Sequence, residues 1–552
     1  MRRTICLVTL FALVISSCEK SSIDAYMEEA GLPDVELRKE IVPIYNAPTM
    51  IIGDVIDIPY TIDNLLNAYQ YLDTATKADI NPDDIVVTHV YVKFSPKNEE
   101  ELSVLKNDKH LILFEYPLDR EILAYSRSYH DPEVPADMPT YQYCVIPIDY
   151  WEELAPTVTV SYEILLKVYM PDDYYYEVKS SSSSYEKLLA MSYKLSGLTY
   201  TPATKSSWTP AGTIKGYDNI YNGQVPIPYV EVRGRRLLHV ETAYTNVNGY
   251  YVLSGSFTNT PEMSVVWKYD DWEIRDGASS QAVLQKSCTF GQNWNVNITQ
   301  VDDGWAQLHF AAIQRGAYRF MYGANQGLSR IYIVGSIILK YIENGDGYNN
   351  YGSFDGDNMD IEIYGKAYSA YRLVSYVFTT TCHELGHMAH YTHAQNVYSN
   401  SELRVPESWA RFVQYILAMQ EYYELGVQSN LFTYSYGQSG ILYEDADEVY
   451  NFQALVCTYS SKYTPLFIDL FDYYNQYEYY CDVYPNDIIL DTVRANDNIG
   501  GVSVSTLEWI AFNKTSFYEI KTWLNSYYTS FPSNQFGITT TNVTDVFKPY
   551  GL

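Results

Sequence analysis

Four of the nine histidines of this 552-residue chain lie in one stretch, TTTCHELGHMAHYTHAQ, which occupies residues 379–395. His383 and His387 are four positions apart, so on an α-helix they lie about 40° from each other on one face. Their imidazoles can then reach the same Zn²⁺ ion at about 2.0–2.1 Å. Glu384 projects about 100° from His383, beside that metal, where it can accept a proton from a water that zinc activates. The stretch therefore predicts a helix with two metal ligands and a general base.

The HELGH segment resembles the HExxH signature of the zincin metallopeptidases, whose families differ in the third metal ligand. His393 lies six residues after His387, as the third ligand does in the metzincin pattern HExxHxxGxxH. Glu407 has nineteen residues between it and His387, as in the thermolysin-like gluzincins. His390 occupies the position at which metzincins need a glycine for a turn, so we expect the helix to continue through it.

Two further observations favour Glu407 over His393. The only methionine after His393 is Met419, which lies in a helical run, whereas a metzincin needs a Met-turn below its metal. The segment VPESWARFVQY places Glu407 in the first turn of a helix, just after Pro406, where the helix dipole favours a carboxylate. The resemblance is therefore to the gluzincin group of metallopeptidases.

The gluzincin resemblance covers residues 287–552 in layout, and its specific motifs are HELGH and ESWA. It implies three zinc ligands and a general base, namely His383, His387, Glu407 and Glu384. The chain departs from thermolysin-like enzymes at Arg411, where those enzymes carry an Asp that supports a zinc histidine. The supporting group must therefore come from elsewhere or be absent.

Two simpler interpretations stay open. Glu407 and Arg411 are four residues apart and can form a surface ion pair on their helix. The histidines can also lie on a surface helix that binds no metal and only forms hydrogen bonds.

Hydrolysis of a peptide bond also needs a donor for the developing oxyanion. No histidine follows His393, so we expect a tyrosine in this role. The segment DEVYNFQALVCTYSSKY resembles the tyrosine-then-helix segment downstream of the zinc Glu in some gluzincins, which implies Tyr450. Tyr436 and Tyr443 stay open as alternatives.

The N-terminus has the features of a lipoprotein signal. Arg2 and Arg3 precede the apolar run TICLVTLFALVISSC, which is too short to span a membrane as a stable helix. Its end, ISSC, resembles the lipobox of bacterial lipoproteins and implies cleavage before Cys18 and lipidation of that thiol. We therefore expect a chain anchored through Cys18 at the outer membrane or cell surface of a Gram-negative bacterium. The formal net charge of -30 disfavours nucleic acid as a partner.

The pattern along the chain predicts a multidomain fold behind the signal, which is residues 1–17. Residues 18–205 contain alternating runs such as IVVTHVYVKF, which predict a β-rich N-terminal domain with a tether. Residues 206–280 contain short strands and an Asn-Gly hairpin signal. They resemble the small β-sandwiches of secreted carboxypeptidases and of many surface proteins of the Bacteroides group. Residues 281–552 predict an α+β zincin-like domain with a helical C-terminal subdomain.

These features together predict a secreted, lipid-anchored zinc metallopeptidase that acts on a peptide or protein substrate. In zincins an edge strand before the active helix pairs with extended substrate, and we predict NMDIEIYG, residues 358–365, as that strand. The alternative is a surface lipoprotein that binds glycans or proteins and has a non-catalytic metal site. The 58 tyrosines, many of them in the β regions, would suit such binding.

An acidic run, DGDNMD, occupies residues 355–360. It lacks the glycine at loop position six and the final Glu of an EF-hand. These features favour an acidic turn over a calcium site there.

Overall fold

A computed structural model describes residues 37–38, 42–170, 183–200, 207–344, 352–367, 369–427, 455–456, 464–472, 477–484, 487–494, 499–527 and 538–552. The α-helices in these ranges are α1 (Ile62–Gln70), α2 (Thr74–Ala78), α3 (Glu99–Lys106), α4 (Ile148–Leu154), α5 (Ser183–Leu195), α6 (Ala306–Met321), α7 (Val374–Asn400), α8 (Arg404–Glu424), α9 (Leu466–Phe471), α10 (Val504–Asn513), α11 (Phe517–Tyr527) and α12 (Thr540–Phe547). None of these helices combines the length and the apolar character that a membrane span needs.

The strands of the described ranges are β1 (Ile51–Val55), β2 (His89–Ser95), β3 (Arg120–Ala124), β4 (Gln142–Pro147), β5 (Ser161–Val168), β6 (Ala211–Asp218), β7 (Gly223–Pro226), β8 (Glu231–Arg236), β9 (His239–Tyr244), β10 (Tyr250–Val252), β11 (Glu262–Val266), β12 (Lys268–Tyr269), β13 (Trp272–Asp276), β14 (Ser280–Gln281), β15 (Val283–Lys286), β16 (Val296–Ile298), β17 (Ile337–Asn344), β18 (Gly352–Asp355), β19 (Asp360–Ala367), β20 (Ala370–Tyr371), β21 (Leu455–Val456), β22 (Tyr477–Tyr484) and β23 (Asp487–Arg494). The fold therefore mixes α and β structure in several sheets.

The N-terminal region is rich in strands, as its alternating sequence predicts. Strand β2 pairs antiparallel with β4 and with β5, and β1 pairs with β3. The segment HLILFEYPL, residues 110–118, also looks like a strand in the sequence, but it forms only one bridge, from Phe114 to Tyr143. Side chains satisfy part of its backbone instead, because Arg233 donates to the Leu113 carbonyl and the Leu118 N–H donates to the Tyr91 hydroxyl.

Residues 207–298 contain two four-stranded sheets, ordered β10-β6-β16 with β7 beside β6, and β15-β11-β8-β9, while β12, β13 and β14 join a third, larger sheet. The predicted Asn-Gly turn is present, with Gly249 at φ +70°. It does not close a hairpin, because β9 pairs with β8 and β10 pairs with β6. The turn therefore carries the chain from one sheet to the other.

The boundary predicted between residues 280 and 281 is crossed by strand pairing in both directions. Strand β13, before it, pairs in parallel with β17, after it. Strand β16, after it, pairs in parallel with β6, before it. One hydrophobic core extends from Ile214 to Tyr550 across the same point. Residues 206–280 therefore share their sheets and their core with the region that follows.

A seven-stranded sheet supports the helix that carries the HELGH segment. Its order is β12-β13-β17-β19-β18, with β14 beside β13 and β20 beside β19. Strands β13, β17 and β19 are parallel, and β18 runs antiparallel at the edge. The segment RIYIVG, residues 330–335, reads as a strand in the sequence but is irregular, and β17 begins only after it. Helix α7 packs against α6, α8 and the edge of this sheet.

The C-terminal region is less purely helical than its sequence predicts. Helices α9 to α12 are present, but β21, β22 and β23 form a further three-stranded sheet. Helix α8 is held against α6 by a buried arginine network. In it, Arg315 of α6 donates to Asp218 at 2.8 Å and to Glu421 of α8 at 2.7 Å, and Arg319 also contacts Glu421. This network fixes the helix that begins with Glu407 in its first turn.

A second buried group, the charged interface, joins the N-terminal region to the later sheets. It borders a cavity of about 370 Å³ between residues 106–116 and strands β8, β11 and β15. Its ionisable residues are Lys106, Glu115, Glu231, Arg233, Lys268, Glu273 and Arg275. The Glu231 carboxylate contacts two cations, Arg233 and Lys268, and the Glu273 carboxylate contacts two others, Lys106 and Arg275. Each of these two carboxylates is therefore fully paired.

Candidate metal centre

Helix α7 buries the three polar residues that the HELGH segment places on one side. His383, Glu384 and His387 are only 7%, 5% and 6% exposed. The helix is buried continuously from Val377 to His390, so these side chains do not lie on a solvent-facing surface. The interpretation as a surface helix is therefore wrong.

Helix α8 brings Glu407 to the same place. It begins at Arg404, two residues earlier than the sequence predicts, and Glu407 lies in its first turn as expected. Helices α7 and α8 approach closely at Gly386, where an added Cβ would lie only 3.2 Å from the Ala410 Cα and from the Val413 Cβ. Glycine within HELGH therefore permits the helix contact that places Glu407 opposite the two histidines.

Three donor atoms converge at this point. The Nε2 atoms of His383 and His387 are 3.1 Å apart. The Glu407 Oε2 atom lies 3.4 Å from the His383 Nε2 and 3.2 Å from the His387 Nε2. Three donors of a tetrahedral set at about 2.0–2.1 Å from Zn²⁺ would be about 3.3–3.4 Å apart. The residues therefore fit a zinc ion, both in donor type and in spacing.

Burial and the neighbouring imidazoles shift the pKa values of Glu384 and Glu407. Burial alone would raise the pKa of Glu407, but hydrogen bonds from His383 and His387 hold that pKa well below its usual range. Burial raises the pKa of Glu384, and the two imidazoles offset this only in part. Among the described residues, the ion pairs of Glu407 run to His383 and His387, and none runs to Arg411. Glu407 is thus turned into the cluster and does not form the surface pair considered above.

The other two histidines of the segment at residues 379–395 lie outside this centre. The His393 Nε2 atom is 2.8 Å from the Arg330 carbonyl oxygen, so this nitrogen carries a proton that it donates there. His390 is buried and stacks on Phe512 at 5.1 Å, and burial lowers its pKa to about 3. The structure therefore places Glu407, and not His393, with His383 and His387.

The strand at the edge of the sheet differs from the predicted one. NMDIEIYG forms most of β19, which is paired on both sides, with β17 and β18. The strand order of the described sheet ends at β12 and at β18, and β18 is the end that lies beside the general-base candidate. An added Cβ at Gly352 would be 3.0 Å from the Glu384 Oε1 and 2.9 Å from the Thr380 Cγ2. An alternating sequence does not show where a strand lies within its sheet. The edge position of β18 is therefore visible only in the order of the strands.

The DGDNMD run forms the turn between β18 and β19. The Asp355 Oδ1 accepts hydrogen bonds from the N–H groups of Asp357 and Asn358, and its Oδ2 accepts one from the Asn358 side chain. Asp360 contacts Lys340. These contacts agree with the expected acidic turn.

Tyr398 is a residue of the site that the sequence does not reveal. Its hydroxyl lies 3.4 Å from the Nδ1 atom of His387. The sequence predicts a helix through His390, and α7 runs on to Asn400 with a break at Ala394 that turns Tyr398 back. Tyr450, Tyr436, Tyr443 and the lipidation site Cys18 lie outside the described residues.

Comparison of the chain with protein-family models, with curated proteins and with solved structures finds no match. Function is therefore inferred from the geometry and chemistry of the site itself.

Proposed function

We propose that the protein is a zinc metallopeptidase, with His383, His387 and Glu407 as zinc ligands and Glu384 as the general base. The observation that supports this most strongly is the convergence of two imidazole nitrogens and a carboxylate oxygen at 3.1, 3.2 and 3.4 Å. All three groups are acceptors when they bind a metal, so a cation between them relieves their mutual repulsion.

A zinc ion in this centre would lower the pKa of a water to about 7 and polarise a substrate carbonyl. Glu384 is one residue from the ligand His383 and has its Oε1 next to the edge strand β18. It takes the proton of the attacking water and passes it to the leaving amine. Tyr450 is the proposed donor to the oxyanion, on the resemblance alone.

The edge strand suggests how an extended substrate is held. Strand β18 ends its sheet among the described residues, so its outer backbone groups can pair with a peptide in β-fashion. Gly352 leaves room there for the Glu384 carboxylate. A substrate on this edge would run directly past the general base, which supports a peptide or protein over a glycan as the substrate.

The proposal is tested by zinc analysis and cleavage of a casein peptide mixture. We expect the purified protein to hold stoichiometric zinc and to cleave, and Glu384→Gln to keep zinc but lose about 10²–10⁴-fold in rate. The exposed Glu100→Gln, on α3, is the matched control and should cleave normally. Full activity of zinc-loaded Glu384→Gln would remove Glu384 from the mechanism. Zinc without any cleavage would favour the non-catalytic binding protein.

We also propose that the chain is a lipoprotein anchored through Cys18 at the outer membrane or cell surface of a Gram-negative bacterium. The support is the lipobox-like ISSC segment after an apolar run. Cys18→Ser should release the protein from the membrane fraction or leave its signal uncleaved. A cleaved Cys18→Ser protein that still fractionates fully with membranes would contradict this.

A further inference from the structure

Tyr398 reaches the metal centre only because α7 is broken. It lies eleven positions after His387, and in a straight helix that spacing would place it about 16 Å further along the axis. At Ala394 the backbone leaves the helical region, with φ −147° and ψ 49°. The chain turns back there, and the Tyr398 hydroxyl comes to 3.4 Å from the His387 Nδ1.

The ring of Tyr398 is held in a cage of other aromatic rings. It makes edge-to-face contacts with His387 at 6.0 Å, His390 at 5.1 Å, Tyr391 at 5.6 Å and Phe354 at 6.3 Å. Such edge-to-face contacts favour one orientation of the rings over others. The hydroxyl is therefore fixed by rings on α7 and on the edge strand β18, and it cannot swing freely away from His387.

The contact involves the nitrogen of His387 that faces away from the cluster. The His387 Nε2 points at His383 and Glu407, at 3.1 and 3.2 Å. A neutral imidazole can offer the Nε2 lone pair to a metal only if its proton is on Nδ1. An oxygen that accepts a hydrogen bond from the Nδ1–H stabilises that tautomer and fixes the plane of the ring.

We infer that Tyr398 is a positioning residue, which accepts the Nδ1–H of His387 and so holds its Nε2 ready for zinc. This rests on the proposed zinc binding. Tyr398 would then take the role of the Asp that supports a zinc histidine in thermolysin-like enzymes. This chain has Arg411 at the position of that Asp. A phenol oxygen is a weaker acceptor than a carboxylate, and 3.4 Å is longer than the usual 2.7–3.2 Å. Loss of the Tyr398 hydroxyl should therefore reduce zinc affinity by an amount at the lower end of the range for groups that hydrogen-bond to metal ligands.

The test is Tyr398→Phe, which keeps the ring and removes the hydroxyl. Zinc affinity is measured by competition with a chelator, and we expect it to fall about 10-fold. Tyr391→Phe is the matched control, because Tyr391 belongs to the same cage but its hydroxyl contacts Gln395. It should bind zinc as the unaltered protein does. Thermal unfolding of the metal-free proteins should not distinguish the two variants.

A second readout does not depend on affinity. In zinc-loaded protein labelled with ¹⁵N-histidine, His387 binds the metal through Nε2, so its proton is on Nδ1, and the exchange rate of that proton with solvent reports whether an oxygen accepts it. We expect slow exchange in the unaltered protein and in Tyr391→Phe, and faster exchange in Tyr398→Phe. Equal zinc affinity of the two variants, or equal exchange of the His387 Nδ1–H, would overturn the inference while zinc binding itself stands. If the unaltered protein binds no zinc, the proposed function fails, and the inference fails with it.

Discussion

The metal centre and the charged interface both bury carboxylates, but they balance the charge in different ways. In the charged interface, Glu231 and Glu273 each contact two Lys or Arg side chains. In the metal centre, the partners of Glu407 are two imidazoles, and neither Glu384 nor Glu407 forms an ion pair with Lys or Arg among the described residues. A buried carboxylate without a cation is costly. The charges of Glu231 and Glu273 are therefore balanced by side chains of the charged interface. The metal centre, in contrast, has a place for a cation.

Among the variants that test this comparison, Glu407→Ala should have the largest effect. Zinc sites with four ligands gain about 10–16 kcal/mol, so one ligand corresponds to roughly 3–4 kcal/mol, or about 10²–10³-fold in affinity. We expect zinc affinity to fall by this amount in a chelator competition. The metal-free variant should also lose some unfolding free energy in urea, because Glu407 accepts hydrogen bonds from His383 and His387, so zinc affinity is compared under conditions in which both proteins are folded. Zinc affinity within tenfold of the unaltered protein would contradict the ligand assignment.

Arg233→Met in the charged interface should have its main effect on stability and should leave zinc affinity unchanged. Arg233 is 4% exposed and contacts the Glu231 carboxylate and the Leu113 carbonyl. Breaking a buried pair on one side costs about 3–5 kcal/mol, and Lys268 still faces Glu231, so we expect about 3 kcal/mol. Urea unfolding measures this loss. Zinc affinity should be unchanged; a parallel loss of zinc would show that the two regions are coupled.

Acid should destabilise the charged interface through its carboxylates. Burial alone would raise the pKa of Glu231, but Arg233 and Lys268 hold it at about 2, against 4.5 as the ordinary value. A depressed folded-state pKa contributes stability that is present above pH 4.5 and is lost as pH falls towards 2. The contribution is about 3 kcal/mol. Unfolding free energies from pH 6 to pH 2.5 should therefore fall less steeply for Glu231→Gln than for the unaltered protein; equal slopes would argue against the pairing.

Glu115 is the exception within the charged interface, and it should behave in the opposite way. Burial raises its pKa to about 7, against 4.5 as the ordinary value, although Lys106 and the Gln281 N–H favour the charged form. A raised pKa contributes stability that is fully present below pH 4.5 and is lost as pH rises through 7. Glu115→Gln should thus gain about 1–3 kcal/mol relative to the unaltered protein between pH 5 and pH 8.5. A constant difference across these pH values would mean that burial does not raise the pKa of Glu115.

The sequence predicts the clustering of His383, His387 and Glu407 where the relevant contacts are local. His383, Glu384 and His387 follow from the helical period, and the place of Glu407 follows from a helix start with Pro406 beside it. Tyr398 could not be predicted, because its position depends on a helix break at Ala394 that no glycine or proline marks.

The same limit applies to the sheets. The identity of β18 as the edge strand, and the pairing of β13 with β17 across residue 280, depend on strand order. Strand order is set by contacts between residues far apart in the chain, which a periodicity in the sequence does not record.

The central claim is that His383, His387 and Glu407 form one zinc site. Anomalous diffraction at the zinc edge from crystals of the zinc-loaded protein tests it most directly. We expect a single strong peak between α7 and α8, about 2.0–2.1 Å from both imidazole Nε2 atoms and about 2.0–2.2 Å from a Glu407 oxygen. His393 should still contact the Arg330 carbonyl. A peak bound to His393 with Glu407 turned away, or no zinc at His383 and His387, would contradict the account.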